Sequence, residues 1–367
     1  MSILYDAPDD DVIEISVFGR GSGECIVIHL GNQRWMVVDS FTNSGEPIAI
    51  IYFREIGVDV ATQVEFVLAT HWHDDHIKGI SQVLSEAKSA TGALPAAMLH
   101  DEFKHFARKF HDVPAGKVKS GVREMGLFLD VLLARNPVRV ELARSWGTLL
   151  NVPLGVLAHG LPVTVQAISP SHFDVLHFLG MIGGYALPED VAVSAPYYDR
   201  NDVSVALHID LGEQAILLGA DLETRSNPQT GWDAVLNDHR CPSRTATLYK
   251  VAHHGSSTGH HDDIWLRLCT TDPVTTLAPW ARGNGRLPTS DDVKRILSYS
   301  TDAYTAARTA TSGKRQKLQT VNSILQNTHS KVRNVDLTVG QTRHRLIGGN
   351  WRTDLFGNAV PLSQIAA

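Results

Sequence analysis

The chain has 367 residues, 43% of them hydrophobic and 20% charged, with a formal net charge of −6 at pH 7. That length buries a large core, and the composition is that of an ordinary folded domain, which excludes a disordered or collagenous chain. No stretch approaches about 18 consecutive apolar residues, so the sequence offers no membrane-spanning helix.

The N-terminus lacks the basic and apolar regions of a secretory signal and runs into Asp9-Asp10-Asp11. Cys25, Cys241 and Cys269 are widely spaced, without a Cys-x-x-Cys pair, and read as thiols in a reducing cytoplasm. In chain order, strands are expected at 12–18, 24–30, 34–39, 64–69, 163–168, 203–210, 214–219 and 247–252. Helices are expected at 47–56, 77–88, 261–269 and 290–299. Gly212-Glu213 reads as a hairpin turn, and Ser290-Asp291-Asp292 as a capped helix start. Residues 102–160 include the helical run Leu127–Arg135, closed by Asn136-Pro137, and are expected to form a helical insertion near the site rim. No linker divides the chain, so one domain over 1–367 is expected.

The most informative stretch is His71-Trp72-His73-Asp74-Asp75-His76, which follows the apolar run Val64–Ala69. In extended backbone His71 and His73 point the same way, and Asp75 and His76 follow on the turn into a helix. One pair can hold one divalent cation and the other pair a second, the layout of a two-metal hydrolytic centre.

The pattern His-x-His-x-Asp-His after a hydrophobic strand resembles the signature of the metallo-β-lactamase superfamily. Four further segments are similar to that family's motifs and stand in its order. They are Val17–Ile28 with its glycine turn, Trp35–Ser40 with Asp39, Ala215–Asp221, and Leu248–Ser256 with His253-His254. Within the superfamily the likeness is greatest to the hydrolase domain of competence-type DNA-uptake proteins, on Val165–Pro170, Asn201–Leu207, Gly219-Ala220-Asp221, His253–Ser256 and Leu287-Pro288-Thr289. The resemblance implies an α/β fold, an αββα sandwich of two mixed β-sheets flanked by helices, here with the helical insertion.

It also implies two divalent ions, Zn²⁺ or Mn²⁺ with Mg²⁺ as a further option. His71, His73 and Asp221 are expected on the first ion, and Asp75, His76, Asp221 and His253 on the second. A hydroxide held between the ions would attack the scissile bond. His254 would then contact the scissile group or protonate the leaving oxygen, and the roles of His253 and His254 can be exchanged. Asp39 and Asp74 are expected to support the ligands, and Ser256 and Ser257 to cradle an anion. The family's usual His about 20 residues before the bridging Asp is absent. Asp202 there is either a substitute oxygen ligand or part of a turn.

Residues 303–345 hold eight Lys or Arg against one acid. That segment is therefore +7, and since the whole chain is −6 the remainder sums to −13. Such a footprint suits phosphate binding, with Lys314 and Arg315 in an expected exposed loop, so nucleic acid is the expected partner. A protein partner is not readable. The leading expectation is a phosphodiesterase or nuclease. A small-molecule hydrolase of lactones, phosphorylcholine esters or other phosphodiesters is the alternative, and a non-enzymatic binding module the third.

Overall fold

The computed structural model describes residues 6–101, 103, 104, 107, 120–183, 200–241, 245–282, 285–308 and 339–365. In chain order the strands are β1 (Ile13–Gly19), β2 (Glu24–His29), β3 (Trp35–Val38), β4 (Thr42–Asn43), β5 (Glu46–Pro47), β6 (Val64–Leu68) and β7 (Thr91–Pro95). Then come β8 (Val140–Ala143), β9 (Gly147–Val152), β10 (Val163–Ala167), β11 (Leu207–Asp210), β12 (Ala215–Leu218) and β13 (Ala246–Lys250). Last are β14 (Cys269–Leu277), β15 (Trp280–Arg282), β16 (Gly285–Leu287), β17 (Ala303–Thr305), β18 (Gly340–Ile347), β19 (Asn350–Gly357) and β20 (Val360–Pro361).

Two eight-stranded mixed sheets carry the fold, in the orders β19-β18-β1-β2-β3-β6-β7-β8 and β20-β17-β14-β13-β12-β11-β10-β9. Strand alternation explains how they pack. In β2, Ile26 and Ile28 face the second sheet and join Val165, Leu207, Ile209, Ile216 and Leu248 in a core between the sheets. Cys25 and Val27 face the other way, onto the helices Ile48–Ile56 and Ile80–Glu86. On the far side of the second sheet, Leu217 and Tyr249 meet Trp232, Val235, Trp265 and Ile296. Helix, sheet, sheet, helix is the αββα sandwich that the sequence implied.

The parallel strands position the site. β3 and β6 pair in parallel, with Val38 opposite Leu68, and β12 and β13 pair in parallel, with Leu218 opposite Lys250. Parallel neighbours end at the same edge, so the residues just beyond their C-terminal ends lie together, where open α/β sheets carry their sites.

Several expectations are corrected. The strand expected at 203–210 covers only Leu207–Asp210, because Ala206 N–H donates to Ser169 Oγ and Val205 N–H to Thr70 O, drawing the segment off the ladder. The helix expected at 77–88 is two pieces, Asp74–Ile77 and Ile80–Glu86, broken at Gly79 with φ 86°. A Cβ there would lie 2.8 Å from Thr42 Cγ2, so the kink requires glycine. The helix expected at 261–269 shrinks to one wide turn, Ile264–Leu268, before the β-branched run of β14 takes over. Residues 102–160 do include the helix Ser120–Leu133, but β8 and β9 follow it and close one edge of each sheet. The segment is therefore structural as well as helical. The helix at 290–299 starts in a capping box between Thr289 and Asp292.

Among the described residues no helix is long and apolar enough to cross a membrane. Cys25 and Cys269 are buried and Cys241 is half-buried, all as free thiols.

β18 carries a buried His344, whose Nδ1 lies 2.9 Å from Thr353 Oγ1. Burial pushes its imidazole down to about 3, with Asp354 opposing. The folded state keeps this ring neutral while the unfolded chain protonates it near 6.5. Stability is therefore full above pH 6.5 and is lost as the pH falls toward 3, by an amount on the order of 4–5 kcal/mol. In His344→Gln that loss should shrink, as read from urea midpoints against pH. Equal slopes for the two proteins would refute the assignment.

Candidate metal centre

Beyond β6, His71-Trp72-His73 continues extended, so His71 and His73 turn to one side and Trp72 to the other. His71 Nε2 lies 3.1 Å from His73 Nδ1. Trp72 packs edge-on against Phe103 and Phe178. The short helix Asp74–Ile77 then brings Asp75 and His76 to the same place from below.

The second sheet supplies the rest. Asp221 Oδ2 lies 3.7 Å from His71 Nε2, and Asp221 Oδ1 lies 3.3 Å from His76 Nε2. His254 Nε2 lies 3.3 Å from Asp75 Oδ2, 3.3 Å from His76 Nε2 and 3.5 Å from Asp221 Oδ2. Asp221 thus stands between two donor groups, one of His71 and His73 and the other of Asp75, His76 and His254.

These residues fit two divalent cations. Three imidazole Nε2 atoms and two carboxylates converge, with His71, His76, Asp221 and His254 buried and His73 and Asp75 partly exposed. Asp221 Oδ1 is buried and has no well-aligned hydrogen bond. Burial holds the His71 imidazole well below its ordinary range, with the neighbouring His76 adding to it, so it is neutral and presents a lone pair. Burial also acts to lower His76, but the carboxylates of Asp221 and Glu24 outweigh it and hold that ring well above its ordinary range. For Asp221 burial acts upward, and the imidazoles of His76 and His254 overcome it, keeping the acid ionised. A carboxylate that gathers three imidazoles is a place where cations replace protons.

The support is local and strained. Asp39 Oδ2 accepts from His76 Nδ1 at 2.7 Å and from Thr70 Oγ1 at 2.7 Å, fixing the tautomer that leaves His76 Nε2 facing the cluster. His254 Nδ1 does the same against Ala278 O at 2.9 Å. Asp39, Ala220, His253 and His254 all have positive φ, at 60°, 42°, 44° and 52°. Left-handed backbone at non-glycine residues costs roughly 1–3 kcal/mol each and collects at functional sites.

Other residues singled out in the sequence lie elsewhere. His253 turns out of the cluster, its Nδ1 lying 2.8 Å from both Glu223 Oε1 and Thr258 Oγ1. The two consecutive left-handed residues reverse the chain after β13, so the second histidine, not the first, faces the cluster. Asp202 is ion-paired to Arg225, with His177 Nδ1 at 3.6 Å, and so stands in a salt bridge rather than among the donors. Asp74 Oδ1 accepts from Gly121 N–H at 2.6 Å and tethers the helix Ser120–Leu133 to the ligand turn. Ser256 is the cap of the turn Ser257–Gly259, accepting from Thr258 N–H at 3.3 Å, and Ser257 is exposed. Lys314 and Arg315 lie outside the described residues, as do Lys317, Lys331 and Arg333.

Arg343 and Arg345 of the same basic segment are buried in ion pairs with Asp6, Glu14 and Asp354. Three residues beside the centre drew no attention in the sequence: Glu24, Lys250 and Glu223. The signal for the first two was a charge interrupting an apolar run, at Glu24 before Cys25–Ile28 and at Lys250 between Tyr249 and Val251.

Fold and cluster together define an αββα protein with a candidate dinuclear metal centre at one edge of its sandwich. Residues 18–166 match the model of the metallo-beta-lactamase superfamily. Among solved structures the chain is similar to a metallo-beta-lactamase fold protein, YhfI from Bacillus subtilis. The identity is 12% and the TM-score 0.39, over 80% of this chain and 95% of that one. It is also similar to Zn²⁺-bound PqqB from Methylobacterium extorquens, with 12% identity and a TM-score of 0.31 over 62% and 58% of the two chains. A third is CmlA, a diiron β-hydroxylase from Streptomyces venezuelae, with 13% identity and a TM-score of 0.35 over 74% and 45%. No curated protein matches the sequence.

Proposed function

We propose that the protein is a metal-dependent phosphodiesterase whose preferred substrate is a nucleic acid. One observation carries it: Asp221 lies within 3.7 Å of imidazole nitrogens from both donor groups, so a single carboxylate can serve two cations. Bound there, Zn²⁺, Mn²⁺ or Mg²⁺ would acidify a water and polarise the bond under attack, chemistry well suited to in-line displacement at a phosphodiester.

The chain's own residues would hold and orient. His71 and His73 fix one side, and Asp75, His76 and His254 the other. His253, paired with Glu223, is the proton donor to the leaving oxygen. Burial acts to lower its imidazole, but Asp221 and Glu223 outweigh it and hold the ring above its ordinary range, the direction a proton donor needs. Further support comes from the likeness to competence-type hydrolase domains and from the basic run between 308 and 345.

Two observations favour a second reading, a small-molecule hydrolase. Arg343 and Arg345 are engaged within the fold rather than offered to phosphates. In addition, a cavity of about 640 Å³ lined by Phe173, Leu176, His177, Glu223 and Arg225 borders the His253–Glu223 pair, within the usual size range for a small ligand.

The test compares the native protein with a His73→Ala/Asp75→Ala variant on single- and double-stranded DNA, on RNA and on bis(p-nitrophenyl) phosphate, with each ion supplied separately. Ion-dependent cleavage of nucleic acid by the native protein alone is the expected result. Hydrolysis of the small diester with no cleavage of polymer would move the assignment to the second reading, and silence on every substrate would overturn both.

A further inference from the structure

Behind the candidate metal centre lies an ion pair that no step above uses. Lys250, the last residue of β13, is fully buried, and Glu24, the first residue of β2, is 1% exposed. Lys250 Nζ lies 2.5 Å from Glu24 Oε1. The two strands belong to different sheets, so this pair crosses the sandwich at the edge where the ligands gather.

An ammonium and a carboxylate so deeply buried carry a large desolvation cost, which replacement by packed apolar residues commonly relieves. Packing alone therefore gives no reason for the pair. Its contacts supply one. Lys250 Nζ also donates to Ala220 O at 3.3 Å, on the strained residue directly before Asp221. The other oxygen of Glu24, Oε2, lies 3.6 Å from His254 Nδ1, on the side of the ring facing away from the cluster. One cation thus reaches the backbone that aims Asp221 and, through Glu24, the ring that completes the second donor group.

Glu24 is close enough to His76 and His254 to suggest a ligand in its own right. The ammonium on Oε1 argues against that, because a cation already neutralises the carboxylate. We infer that Lys250 and Glu24 form a positioning pair that locks the two sheets in the register at which Asp221 and His254 can share the second ion. Resting on the metal-centre reading, the inference assigns Lys250 a role through other residues, and Lys250 touches neither substrate nor metal.

Co²⁺ is the probe, since its absorption spectrum reports ligand geometry and its titration separates the two sites without any substrate. In Lys250→Met, second-site Co²⁺ affinity should fall by about 10- to 100-fold, the range typical when a residue orienting a ligand is removed. The second-site spectrum should shift while the first site, held by His71 and His73, titrates as in the native protein. Lys250→Met leaves Glu24 buried without its cation, so it can unfold for that reason alone. The double variant Glu24→Gln/Lys250→Met removes both charges and should regain native thermal stability while keeping the weakened second site. Glu24→Gln alone, which preserves volume, should show a smaller loss of about tenfold.

Native Co²⁺ affinity and spectrum in the double variant would overturn the inference and leave the pair purely structural. Native behaviour in Glu24→Gln would do the same should the other variants fail to fold. If the native protein itself binds no Co²⁺, the metal-centre reading fails and the positioning role falls with it. Two-site binding unchanged across all variants would defeat the positioning role alone.

Discussion

Replacing His254 with alanine should abolish binding of the second ion and lower turnover by about 10³-fold, whereas His253→Ala should retain both ions. The first figure follows from losing one ion's share of transition-state stabilisation, several kcal/mol at 1.36 kcal/mol per decade. The asymmetry comes from backbone geometry. With φ of 44° and 52°, the two residues reverse direction after β13, leaving His254 Nε2 within 3.5 Å of Asp75, His76 and Asp221. His253 instead meets Glu223 and Thr258.

Turnover in His253→Ala should fall by about 10²-fold or more, as for loss of a general acid. The alkaline limb of the kcat profile should go with it. A donor must be protonated, so activity declines as the pH rises through its pKa, which lies above the ordinary imidazole value. Metal content by mass spectrometry under native conditions, with kcat measured across pH, checks both variants. Loss of an ion from His253→Ala but not from His254→Ala would reverse the assignment.

The second large effect is on stability. Trp72→Ala should destabilise the fold by about 3–5 kcal/mol, the usual cost of emptying a large aromatic site. Trp72 is 1% exposed, with ring centroids 5.4 Å from Phe103 and 5.8 Å from Phe178. Because it sits between His71 and His73, the cavity should also loosen the first metal site, and the affinity of that site should drop together with the urea midpoint. Trp72→Phe, which fills most of the volume, should recover most of both. Stability of Trp72→Ala within about 1 kcal/mol of the native protein would show that this aromatic cluster does not brace the ligand turn.

Much of the site was readable because its chemistry is local in sequence. His71, His73, Asp75 and His76 fall within six residues, and extended backbone followed by one helical turn is enough to bring them together. The apolar runs of β1, β2, β3, β6, β12 and β13 were equally legible, since largely buried strands read as near-continuous hydrophobic segments, and β10 by its alternation of apolar and polar residues. The edges were less so. β8 and β9 are half-exposed, and β18 and β19 mix Arg, Thr and other polar residues with apolar ones, so composition gave them no distinct mark.

By itself, then, the sequence determined the donor-rich turn after β6 and the main buried strands, because short-range periodicity and residue type suffice for each, while the αββα class and the aspartate beyond β12 were implied by its motif resemblance. Tertiary structure decided what depends on distant backbone. It turned the ring of His254, and not that of His253, toward the cluster through two left-handed residues, and it placed Asp202 against Arg225. It also drew Arg343 and Arg345 of the basic run into pairs with Asp6, Glu14 and Asp354. Finally it joined Glu24 to Lys250 across the two sheets, a contact between strands far apart in the chain that no local pattern encodes.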